Sequence, residues 1–93
     1  MSKEWVKHEE ILELSNDSMV LSKLMLFNDD VNSFDHVIEC LVRICDHDEL
    51  QAEQSAVLVH YKGKAVVKTG DKGELAAMCI ALCDEGLSAV IAE

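Results

Sequence analysis

Hydrophobic residues in this chain recur with two periods, and each change of period marks the edge of an element. In "MVLSKLMLF" (residues 19–27) β-compatible apolar residues run up to Asn28, Asp29 and Asp30. Asn and Asp bond their own backbone and favour turns, so the run predicts a strand near 20–27 that stops on a polar turn. From Phe34 the apolar positions 34, 37, 38, 41, 44 and 45 follow the i, i+3, i+4 rule of a helix. Asn32 offers that helix an N-cap, and Asp35 brings a carboxylate near the first-turn amides. The helix ends around "CDHD". Asp48 opens a second helix through Leu50, Ala52, Ala56, Val57 and Val59, which stops near His60. "YKGK" reads as a turn, "AVVK" as a short strand and "TGDKGE" as a loop with Asp71 as the next cap. Leu75, Met78, Cys79, Leu82 and Cys83 build a third amphipathic helix with Gly86 just past its end, and "LSAVIA" is a last strand.

The order β-α-α-β-α-β predicts an α+β sandwich, a small three-stranded sheet with helices packed on one face. Residues 1–18 are charged, with scattered Trp5, Val6, Ile11, Leu12 and Leu14. They read as a flexible leader, which leaves 19–93 as the core domain.

Composition narrows the function. The 93 residues allow one domain, and 49% apolar content makes it globular, but only 4% are aromatic, so the core must be aliphatic. A formal charge of −10 excludes nucleic acid as a partner, since phosphate binding needs a basic footprint. No apolar run approaches the roughly 20 residues that span a bilayer, and the N-terminus is too charged for a signal peptide, so a cytoplasmic, membrane-free protein is expected. Cys40, Cys45, Cys79 and Cys83 fit reduced, buried thiols. Their C-x4-C and C-x3-C spacings lack the C-x-x-C pair of a zinc site, so no metal is expected.

The chemistry available points to binding. No nucleophile can be placed beside a base and a third orienting group, and "GDKG" lacks the lysine and hydroxyl of a phosphate loop. Neither an enzyme nor a cofactor is expected. His8, His36 and His47 belong to no constellation and read as surface or rim residues. An ammonium group, by contrast, carries three donors and needs three acceptors, which an Asn carbonyl, a carboxylate and a neutral His nitrogen supply. Set beside aliphatic side chains, these would recognise an amine attached to an apolar group.

"LFNDD", the helix "FDHVIECL" and "AVLVHYKGKA" together resemble ClpS, the family of adaptors that deliver N-degron substrates to the Clp ATP-dependent protease. The similarity runs from about Leu24 to Val66. It implies the compact family fold, like the C-terminal domain of the ribosomal stalk protein. It also implies partners: N-degron polypeptides and the N-terminal domain of a Clp AAA+ chaperone. By position, Asn28, Asp29 and His60 would hold a substrate's free α-amino group, with Asp30 shaping the loop. Leu26, Phe34, Val37, Ala56 and Val59 would line the pocket for the first side chain. Phe34 and Ala56 stand where the family usually carries Met, which implies a deeper site suited to a larger ring unless Phe34 turns into the space. The other reading of the same residues is a regulatory interaction domain of this fold without N-terminal specificity. In it, Asn28 and Asp30 only shape a turn, and Phe34, Val37 and Val59 only pack.

Overall fold

The computed structural model describes residues 21–93, and the expected leader over 1–18 lies outside them. Six elements follow in the expected order: β1 (Ser22–Phe27), α1 (Phe34–Cys45), α2 (Glu49–Lys62), β2 (Lys64–Gly70), α3 (Lys72–Asp84) and β3 (Ser88–Ala92). The strands form one sheet in the order β2-β1-β3, with both neighbours antiparallel to β1. The α1–α2 pair therefore links adjacent strands, while α3 carries the chain across β1 from β2 to β3.

Strand β1 alternates as the pleat requires. Ser22, Leu24 and Leu26 turn inward and are buried, while Lys23 and Phe27 turn out. The helices close that inner face, where Leu24 and Leu26 meet Cys40 and Leu41 of α1, Ala52 and Val59 of α2, and Leu75 and Leu82 of α3. The core is aliphatic, as the composition requires. Ala52 and Ala56 carry only a methyl group, which lets α2 approach the sheet closely, and both are buried.

Caps set the helix limits, and one of them corrects the sequence reading. Ser33, not Asn32, is the N-cap of α1, and its hydroxyl accepts from His36 N–H at 3.1 Å. Asn32 lies one residue too early and instead donates its amide to the Gly86 carbonyl at 3.0 Å. Asp48 and Asp71 cap α2 and α3 as expected. Helix α2 runs two residues past His60, because Gly63 at φ 89° supplies the left-handed end and bonds back to the Val59 carbonyl. After α3, Gly86 N–H bonds Cys83 O and Leu87 N–H bonds Leu82 O, with Gly86 at φ 90°. This Schellman closure presses Leu87 into the core.

Strand β2 is longer than "AVVK" suggests, because its pairing with β1 persists to Ser22↔Gly70. A register shift leaves Val67 without a partner across from it. Val67 is buried, and its carbonyl accepts from His47 Nε2 at 2.7 Å. His47 is therefore a buried residue and not the rim residue expected, since it pins the α1–α2 link to β2. His36 is half-buried and donates Nε2–H to the Glu85 carbonyl at 2.9 Å. Among the cysteines, Cys40 and Cys45 are fully buried, Cys79 is half-buried and Cys83 is exposed, against the expectation of four buried thiols.

Candidate functional site

The wide turn between β1 and α1 sits against the end of α2. Asn28 N–H donates to the Gly63 carbonyl at 2.9 Å, so the end of β1 is fastened to the end of α2. His60 lies in the last turn of α2, and the bond sets it beside Asn28. The turn is closed from within by Asp29, whose Oδ1 accepts from Val31 N–H at 2.9 Å and whose carbonyl accepts from Asn32 N–H at 3.3 Å. That is the Asx geometry expected of such a residue. Asp29 thus makes the side-chain bond that closes the loop, and Asp30 beside it is exposed. Asn32 ties the turn to the α3–β3 link, and Ser88 Oγ stands 3.5 Å from Asp29 Oδ2.

Beneath this turn is a cavity of about 140 Å³. Every residue singled out from the sequence lines it: Leu26, Asn28, Asp29, Asp30, Phe34, Val37, Ala56, Val59 and His60. Three further residues, Phe27, Asn32 and Leu87, complete the wall. The floor is aliphatic and the mouth is polar. The side chain of Asn28 makes no hydrogen bond among the described residues, and one oxygen of Asp29 faces only the weak Ser88 contact, so acceptors remain available there. Phe34 is 44% exposed and meets His60 edge to face at 5.6 Å between ring centres. Tyr61 also meets His60 edge to face, at 5.0 Å. Such contacts hold an imidazole in place without using its nitrogens.

Phe34 does not fill the space left by Ala56, and the cavity stays open. Its size is the informative quantity, because a dry cavity of about 150 Å³ accepts benzene. A single ring or a branched aliphatic group is compatible with that volume.

A second group of possible ligands lies away from this site. Ligand atoms of His36, Glu39 and Cys40 fall within 4.8 Å of one another. Each is already engaged. His36 bonds Glu85, and Glu39 pairs with Arg43 Nε at 3.2 Å. Burial first, and then the Glu85 carboxylate, push the Cys40 thiol above its ordinary value, which opposes the thiolate a metal requires. No helix among the described residues is long and apolar enough to cross a membrane.

The fold and this geometry can now be set beside known proteins. Residues 18–89 match the family described as ATP-dependent Clp protease adaptor protein ClpS. The ATP-dependent Clp protease adapter protein ClpS of Enterobacter sp. (strain 638) is 41% identical over 44 residues, covering 47% of this chain. The chain spans less than half the length of that relative, 42%. Among solved structures, Agrobacterium tumefaciens ClpS2 bound to L-phenylalaninamide has the same fold, with a TM-score of 0.73 at 23% identity over 76% of this chain and 93% of that one. The family match covers most of the sequence, and the chain belongs to the ClpS family.

Proposed function

We propose that this chain is a non-catalytic adaptor that captures polypeptides by their free α-amino group and first side chain and presents them to a Clp ATPase. One observation carries the reading: an open cavity with an aliphatic floor lies directly beneath Asn28, Asp29 and His60. An ammonium group placed at that mouth finds the Asn28 carbonyl, the Asp29 carboxylate and an imidazole nitrogen, while the side chain on the same carbon drops into the cavity. Charge-assisted hydrogen bonds of this kind are about twice as strong as neutral ones. The ligand in the Agrobacterium structure, L-phenylalaninamide, joins a free amine to a benzyl group, which is the combination this site suits. The ATPase partner is supported by the family description.

The cavity volume sharpens the substrate class. A first residue of Phe or Leu matches this volume, and an indole would have to reach into the open mouth. Fluorescence anisotropy with short peptides that differ only in their first residue tests this. The expected order of affinity is Phe and Leu, then Trp, with Ser and Gly bound weakly. A series in which the first residue makes no difference contradicts the adaptor reading and favours an interaction domain without N-terminal specificity.

A further inference from the structure

The α1–α2 pair bears a second opening, on the side away from the sheet. There Phe34 faces Leu50, Val57 and Leu58 across a groove of about 740 Å³, with Asp35 and Glu53 on its lips. These apolar side chains are open to solvent, with Leu50 63%, Leu58 46% and Val57 40% exposed. Among the described residues, those lining the groove include two acids and no base.

Two facts connect this groove to the cavity. Phe34 is a wall of both. In addition, Leu50, Glu53, Val57 and His60 succeed one another at spacings of three, four and three, which makes one continuous stripe along α2. A chain leaving His60 along that stripe enters the groove directly. From His60 to Leu50 is a helical rise of about 15 Å. An extended polypeptide advances about 3.3 Å per residue, so it reaches Leu50 by about its fifth or sixth residue.

We propose that the groove is a second subsite for the same polypeptide, taking an apolar side chain from about the third to the sixth residue. Lys or Arg beside that side chain would meet Asp35 and Glu53. The inference rests on the amino-terminal capture proposed above. It defines the substrate as a free amine, a ring or branched first side chain, and then a short apolar and basic segment.

The test uses peptides with a free amino-terminal Phe, whose third to sixth residues are either Leu and Lys or Gly and Ser, each with an acetylated control. Fluorescence anisotropy is read on the full chain and on the Leu50→Ser, Val57→Ser double variant, whose altered side chains are partly exposed and outside the core cluster. Burial of one or two partly covered side chains gives an expected gain of about tenfold for the Leu and Lys peptide over the Gly and Ser peptide. The double variant should lose that gain and still bind the Gly and Ser peptide as the wild type does. No gain, with the acetylation penalty intact, overturns the subsite alone. A gain that survives in the double variant overturns it as well. Acetylated and free peptides of equal affinity would remove the amino-terminal reading and the subsite together. Sedimentation gives the remaining outcome: a wild-type dimer that the double variant converts to monomer assigns the groove to self-association and overturns the subsite.

Discussion

Among the described residues two turns lead from a strand into a helix over an Asp, and they differ in what lies beneath. At Asp71 a single residue separates β2 from α3, and Oδ2 accepts from both Gly73 N–H at 2.9 Å and Glu74 N–H at 3.2 Å. That turn is a cap and its acceptor is engaged. Between β1 and α1 the chain takes residues 28–33, and Ser33 caps the helix. Asn28 stands five residues before that cap, and the longer turn arches over the cavity. An acid in a turn is therefore no signature of a site. An Asn side chain without a partner among the described residues, set above an unfilled apolar volume, is.

Substitution sharpens that contrast. Asn28→Ala should weaken binding of a Phe-first peptide by about 1.5–3 kcal/mol, the scale of a hydrogen bond to a charged group, with little change in folding stability. Asp71→Ala should do the reverse, lowering stability by about 1 kcal/mol through the lost cap and leaving affinity unchanged. Urea unfolding and peptide titration on the two variants check both halves. If Asn28→Ala unfolds the chain as readily as Asp71→Ala, the first turn is structural too.

The core between the turns should respond to alkali while neither turn does. Burial pushes the Cys45 thiol up to about 11 from the ordinary 9.0. A raised thiol favours the neutral form in the folded state, so its contribution is fully present below the ordinary value and is lost as pH rises through about 11. At 1.36 kcal/mol per unit, the loss is about 2 kcal/mol of stability between those values. Cys40, raised by burial in the same way, acts in the same direction. Urea midpoints measured from neutral to alkaline pH should fall in that window, and a Cys45→Ala variant should be less stable at neutral pH with a shallower decline.

Filling the cavity would make the first turn resemble the second. Ala56→Met places a flexible side chain where the floor is open, so Phe-first peptides should lose more than Leu-first peptides, by a difference of about 1 kcal/mol. An unchanged Phe-to-Leu ratio would show that the first side chain lies elsewhere.

What could be read from the sequence was the local part. The Asn-Asp-Asp turn is fixed by neighbouring residues, and so is the strand and helix order, while α2 ends at Lys62, two residues past His60. Leu87 was missed because it reaches the cavity through the Gly86 closure, far along the chain from Asn28. The same closure provides the carbonyl that draws Asn32 away from capping. His47 was misplaced because its partner carbonyl belongs to an irregularity in β2 that periodicity does not reveal. The sequence did not divide the apolar residues of α2 by face: Ala52, Ala56 and Val59 are buried, while Leu50 and Val57 line the outer groove. Pocket size was illegible for a related reason. It depends on where the Phe34 ring rests, and the edge-to-face contact with His60 decides that.

The central claim is that Asn28 and its neighbours hold a free amine above the cavity, and one measurement reaches it directly. The affinity of a Phe-first peptide is determined free and acetylated, on the wild type and on Asn28→Ala. Acetylation should cost on the order of 2–5 kcal/mol on the wild type, because it leaves desolvated acceptors unmatched, and clearly less on the variant, where one acceptor is already gone. A penalty near zero on the wild type, or one of the same size on both proteins, would contradict the account.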